Sequence, residues 1–211
     1  MAVVIGITGG IATGKTTVLQ MFSELGVETA SADQIAREVL SRGEPAILEA
    51  IREFGSDIVG PDGEIDRKKL GDRIFTNPEL REKLNRIMHP RIIARIEQIV
   101  SEFRGKWGEE TDAVMAIEIP LLFECGLENM VDKVVVVAAE QDTVLNRLMS
   151  RDRLSMEAAK ERVLAQTPLS EKIARADQVI WTDQDILNIK ERVSRVFRWI
   201  AEKRNQNNPA D

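Results

Sequence analysis

Residues 3–17 read VVIGITGGIATGKTT. The first six are a short, β-branched apolar run stopping at Gly9-Gly10, which predicts a fully buried strand. From Thr16 to Leu25 apolar residues recur at helical spacing through Val18, Leu19, Phe22 and Leu25, and Gly26 ends the pattern. Between strand and helix, Gly9-Gly10-Ile11-Ala12-Thr13-Gly14-Lys15-Thr16 satisfies G-x-x-x-x-G-K-S/T, in the setting this phosphate-loop motif requires. Exposed backbone N–H groups and the positive end of a helix dipole bind triphosphate oxygens there, and glycines let the backbone curl close to them. Lys15 is expected to bridge the β- and γ-phosphates, and the Thr16 hydroxyl to ligate Mg²⁺.

Downstream, residues 27–30 predict a second short strand, and Asp33 precedes a helical pattern running to about Ser41. Gly43, Glu44 and Pro45 break that pattern before a helix over about 46–54, and Pro61-Asp62-Gly63 marks a loop. Asn77, Pro78 and Glu79 form a helix start, followed by an apolar face from Leu80 to Phe103. Pro90 inside this face is expected to kink or split the helix, with the only histidine, His89, at the bend. Residues 113–119, 133–139 and 178–181 have strand character. Helices are expected over 140–152 and 155–166, from about 168 to 176, and over 186–200. Strands alternating with helices predict an α/β fold whose mostly parallel sheet is covered on both faces, with about 46–103 as a helical insertion. The polar residues 205–211 read as a frayed tail.

A chain of 211 residues with 43% hydrophobic and 30% charged side chains predicts one globular domain. A net charge of −6, 4% aromatic residues and no tyrosine disfavour a nucleic-acid partner. Cys125 is the only cysteine, so it reads as a small buried thiol in a reducing, cytoplasmic compartment. The start MAVVIGITGG lacks the basic segment and apolar length of a signal peptide, and no run approaches the ~18 apolar residues of a membrane span. No obligatory protein partner is evident.

No guanine-specific N-K-x-D occurs, and no apolar strand ends in an Asp-Glu pair, so a small-molecule kinase leads over a switch GTPase or a motor ATPase. Such a kinase needs a group that orients and deprotonates an acceptor hydroxyl near the carboxyl ends of the strands. Asp33 suits that role, and it suits equally an N-cap for a helix starting at Gln34. Arg147 and Arg151 share a helix face, with Arg153 following, and read either as a solvated face or as a lid bringing positive charge to the phosphates. His89 fits a satisfied histidine or a ligand contact. The run Pro120-Leu121-Leu122-Phe123-Glu124 fits core or a crevice wall. A kinase for another small acceptor, such as a nucleoside monophosphate, and a non-catalytic nucleotide-binding module both remain open at this level.

Taken together, GITGGIATGKTT, SADQIAREVLSRGEPA, IDRKKL, LNRIMHPRI, IPLLFECGL, NRLMSRDRLS and AQTPLSEKIARAD resemble, in order, the segments of the dephospho-coenzyme A kinase family. The resemblance covers about residues 3–180. It implies a three-layer P-loop NTPase fold with a mostly parallel central sheet, a helical substrate-binding insertion and a helical lid. The implied core is about 1–45, 105–140 and 176–204, with substrate-binding helices over about 46–104 and a lid over about 141–175. The implied activity is phosphorylation of the ribose 3′-hydroxyl of dephospho-CoA by ATP with Mg²⁺. By resemblance, Asp33, Lys15 and Arg147 are catalytic, and Gly10, Ile11, Ala12, Thr13, Gly14, Lys15, Thr16, Thr17, Arg147 and Arg151 bind ATP. Asp33, Arg37, Leu70, His89, Pro120, Leu121 and Phe123 are the implied acceptor residues. Ser31 stands where the family often has an acid and Glu118 where it often has an Asp, and both are expected to lie clear of Asp33 and the phosphate loop. Ile180-Trp181-Thr182 departs from the family pattern at the expected adenine-side edge.

Overall fold

The computed structural model describes residues 2–41, 43–75, 77–108 and 112–206, so 207–211 of the expected tail lie outside the described residues. The described chain forms two compact units, Met1–Ser31 with Glu102–Asp211, and Ala32–Ser101.

In the first unit, five parallel strands form one sheet: β1 (Val3–Gly9), β2 (Glu28–Ser31), β3 (Val114–Glu118), β4 (Lys133–Ala138) and β5 (Gln178–Trp181). Their spatial order is β2-β3-β1-β4-β5, so β1 is central and the connections run to opposite sides of it. Ligands of open α/β sheets bind at such a reversal, outside the carboxyl ends of the strands, and the phosphate-loop motif leaves β1 at that end. Strands β1, β3 and β4 are buried along nearly their whole length, which explains their unbroken apolar reading. Helices α1 (Lys15–Glu24) and α9 (Ile186–Gln206) pack on one face, where Ile5, Ile7, Phe22, Val135, Val193 and Val196 belong to one buried cluster. Asn205 and Gln206, expected in the tail, are the last residues of α9. Helices α6 (Gln141–Asp152), α7 (Met156–Leu164) and α8 (Leu169–Ala174) follow β4. Val144, Leu145, Leu148 and Ala159 form a second cluster against which Ile11 and Ala12 of the phosphate loop pack.

The second unit is helical: α2 (Ala32–Val39), α3 (Pro45–Phe54), α4 (Arg67–Phe75) and the part of α5 (Pro78–Trp107) that reaches Ser101. The Asn77 side chain caps α5, accepting from the N–H groups of Glu79 and Leu80 at 3.0 and 3.1 Å. Pro90 does not split this helix, which runs unbroken for 30 residues. A proline ring displaces carbonyls of the preceding turn, and here the Arg91 guanidinium donates to one of them, Ile87 O, at 2.6 Å while pairing with Glu49. His89 therefore lies within a continuous helix, not between two helices.

Candidate functional site

The phosphate loop owes its path to two glycines. Gly9 has φ +150, and a Cβ there would lie 2.1 Å from the Val137 carbonyl oxygen, so only glycine lets β1 end so close to β4. Gly14 has φ +90 and turns the chain into α1 without offering a side-chain cap. No side chain caps the start of α1, and a helix start of this kind is where anions bind. Ala12, at φ 56, adopts the left-handed conformation that non-glycine residues rarely hold, a local strain typical of binding loops. Thr13 is 1% exposed and donates to the Gly10 carbonyl at 2.9 Å. The Lys15 ammonium donates to the same carbonyl at 2.8 Å, which folds it back over the loop it is expected to serve.

Glu118 corrects the sequence reading. It was expected to lie clear of the loop, yet both its carboxylate oxygens are 3.2 Å from the Thr16 hydroxyl, which donates to them. Glu118 ends β3 and is 3% exposed, and its register partner on β1 is Ile7, two residues before Gly9. A hydroxyl beside a carboxylate is a hard-oxygen set of the kind Mg²⁺ takes. Among the described residues no three or more His, Cys, Asp or Glu side chains converge as a metal cage.

Of the arginines expected in the lid, the structure brings one to the loop. Arg147 donates to the Ala12 carbonyl at 3.2 Å, to the Thr182 hydroxyl at 2.9 Å and to the Thr182 carbonyl at 2.6 Å. Thr182 in turn donates to the Thr13 carbonyl at 2.7 Å. Arg151 pairs with Asp152, which also binds Arg162. The hydrogen bond from Arg151 and the charge of Arg162 hold the Asp152 carboxyl below the usual aspartate range. Thr16 and Thr17 are exposed at the start of α1.

Two residues that spacing did not single out complete this side. Thr182, noted only within a departure from the family pattern, is 4% exposed and joins the loop to Arg147. Gln166, just past α7, accepts the Ile11 N–H at 2.7 Å. Both lie far along the chain from the loop, so no local pattern signals them; a polar residue closing an apolar strand was the only hint for Thr182. A cleft of about 540 Å³ opens beside Gly10, Ile11 and Thr13, bounded by Val163, Gln166 and Trp181 among others. Replacing Thr182 by valine keeps the shape and removes the hydroxyl, leaving the Thr13 carbonyl without that donor and the Arg147 nitrogen with the Ala12 carbonyl alone. Thr182→Val is expected to lower stability by about 1–3 kcal/mol, read as a drop in the urea midpoint at unchanged slope.

The acceptor candidates divide between the two units. In the helical unit, Asp33 is exposed in the first turn of α2, which starts at Ala32 directly after Ser31 of β2. It therefore stands inside the helix and is not the cap of one beginning at Gln34. Arg37 is exposed one turn later, and its carbonyl accepts from Arg67 at 3.1 Å. Leu70 is 4% exposed and His89 half-buried. In the sheet unit, Pro120 is half-buried, Leu121 is 40% exposed, and Phe123 is buried under the Arg175 guanidinium, 4.2 Å from its ring centre. Cys125 is half-buried, not fully buried as expected; burial pushes its thiol pKa up, and the Glu124 charge adds to this.

Residues 3–188 match the model of the family described as dephospho-CoA kinase. The chain is 43% identical over 198 residues to the dephospho-CoA kinase of Bacillus cereus (strain ATCC 10987 / NRS 248), covering 94% of this chain and 97% of that one. It is 46% identical over 180 residues to that of Geobacillus kaustophilus (strain HTA426), covering 85% of this chain and 88% of the relative. The solved dephospho-CoA kinase from Campylobacter jejuni superposes with a TM-score of 0.73 at 31% identity, covering 96% of this chain and 99% of its own. A phosphate loop on the central strand of a parallel sheet, a family match over most of the sequence and relatives this similar along nearly their full length agree: the chain belongs to the dephospho-CoA kinase family.

Proposed function

We propose that this chain transfers the γ-phosphoryl group of ATP to the ribose 3′-hydroxyl of dephospho-CoA, giving coenzyme A and ADP, the last step of coenzyme A biosynthesis. The observation that carries this reading is the phosphate loop clasped by Arg147 through Thr182, in a chain of that family. In the transfer, the 3′-oxygen forms a bond to the γ-phosphorus as the bond from that phosphorus to the bridging β-γ oxygen breaks. The hydroxyl proton goes to Asp33, and ADP leaves. Lys15 and the N–H groups at the start of α1 hold the phosphates, and Arg147 meets the charge spread over the transferring group. Gly10 to Thr17 make up the ATP contact, with Arg151 at its margin. Thr16 and Glu118 offer oxygens for Mg²⁺, which when bound neutralises charge on the β- and γ-phosphates.

Arg37, Leu70, His89, Pro120, Leu121 and Phe123 are proposed to receive dephospho-CoA. Leu70 and Phe123, being buried, would act through the surface they support. The helices α6 to α8 are proposed as the lid. The lone cysteine supports a cytoplasmic setting, and the net charge of −6 supports small-molecule partners over nucleic acid. Among the described residues no helix is long and apolar enough to cross a membrane.

The test is Mg²⁺- and ATP-dependent ADP release with dephospho-CoA, with nucleoside monophosphates and no acceptor in parallel, and mass detection of the product. ADP release with dephospho-CoA alone, with a mass gain of about 80 Da from one phosphate, is the expected result. Release only with another acceptor assigns a different kinase, and none despite ATP binding assigns a binding module.

A further inference from the structure

Among the described residues the buried cation is Lys172, 1% exposed on the short helix α8. No step of the phosphoryl transfer uses it. Its ammonium lies 2.7 Å from Glu124 Oε1 and donates to the Pro120 carbonyl at 3.4 Å. That carbonyl also accepts from the hydroxyl of Thr8 at 3.2 Å, and Thr8, wholly buried, is the residue of β1 immediately before Gly9. Burial alone pushes the Glu124 carboxyl up. The hydrogen bonds from Lys172, a backbone N–H and Thr167 outweigh this and hold it below the ordinary glutamate range. Three residues on, Arg175 covers the Phe123 ring and pairs with Glu128. At the other end of the same stretch, Gln166 takes the Ile11 N–H of the phosphate loop. Residues 166–175 thus touch the phosphate loop at one end and the turn that follows β3 at the other.

An ammonium removed from water is costly unless paired, and a well-packed apolar side chain is often at least as stable in its place. What an apolar side chain cannot do is hold a carbonyl and a carboxylate of one turn at fixed distances. We infer that Lys172 is a positioning residue: with Glu124 it fixes residues 120–124 so that Pro120 and Leu121, backed by the buried Phe123, present a set surface to the acceptor. The inference rests on the reading of those three residues as acceptor contacts.

Lys172→Met and the double variant Lys172→Met/Glu124→Leu test it, with ATP and dephospho-CoA varied separately and thermal unfolding followed alongside. Lys172→Met takes the cation from the Glu124 carboxylate, which keeps its backbone N–H and Thr167 hydrogen bonds, so its Tm falls. The double variant leaves no carboxylate without its cation and recovers most of that Tm, which keeps the test open if the single variant folds poorly. In the double variant kcat/KM for dephospho-CoA is expected to stay about 10- to 100-fold below wild type while the KM for ATP stays within about twofold. Recovery of both Tm and acceptor kcat/KM would overturn the inference, leaving the pair a stabilising contact only. A rise of both KM values together would overturn it too, because the whole site and not the acceptor turn would then depend on the pair. Wild-type protein inactive on dephospho-CoA would instead remove the acceptor reading itself, a result seen before any variant is compared.

Discussion

Asp33→Asn is expected to lower turnover with dephospho-CoA by about 10²- to 10⁴-fold, the usual contribution of a positioned general base, with ATP affinity and folding close to wild type. Asparagine has nearly the shape of aspartate and can still hydrogen-bond a hydroxyl, but it cannot take the proton. The side chain it replaces is exposed in the first turn of α2, so no packing is disturbed. What folding loses is the attraction between a carboxylate and the helix start, about 0.3–1 kcal/mol, and the unfolding midpoint therefore moves little. ADP release under saturating acceptor gives the turnover, calorimetry without acceptor gives the ATP affinity, and urea unfolding gives the stability. A loss under about tenfold would remove Asp33 from the mechanism, because phosphoryl transfer through a loose transition state can then be credited to positioning and charge alone. A large loss of ATP affinity would move Asp33 to the nucleotide side.

The phosphate loop was legible because all its determinants are local: an apolar β-branched strand, glycines at fixed offsets, a lysine and threonine at the helix start. The alternation of strands and helices was legible for the same reason, since burial on both faces makes β1, β3 and β4 read as unbroken apolar runs. Local rules failed where a distant or neighbouring side chain overrides them. Pro90 ought to break a helix, yet α5 continues through it, with the Arg91 guanidinium on the Ile87 carbonyl of the turn before. Glu118 meets Thr16 across 102 residues and Gln166 meets Ile11 across 155, pairings that only the order of strands in the sheet brings about. The same holds for the link from Thr182 to Thr13, which depends on β5 lying beside β4 with the loop of β1 above them. A motif thus located the site, while the contacts that hold it in shape were invisible until the sheet order was known.

Arg147 carries the other large effect. Arg147→Met is expected to lower kcat/KM for ATP by about 10³-fold or more, in the range that arginines stabilising a transferring phosphoryl group supply. Arg147→Lys is expected to restore only a minor part of it. In the structure the guanidinium is forked, one nitrogen shared by the Ala12 carbonyl and the Thr182 hydroxyl, the other on the Thr182 carbonyl. A lysine ammonium can supply the charge but not two planar donors at once, so it cannot hold the loop and face phosphate in the same pose. The alternative is that Arg147 only clasps the loop. Thr182→Val separates the two, because it removes the hydroxyl from that clasp and leaves the arginine charge in place. If Arg147 acts on the phosphoryl group, Arg147→Met falls far below Thr182→Val in steady-state rate at comparable urea midpoints. Equal rates in the two variants would mean that the arginine serves the loop alone, and the charge that meets the transferring phosphoryl group would have to be sought first at Lys15.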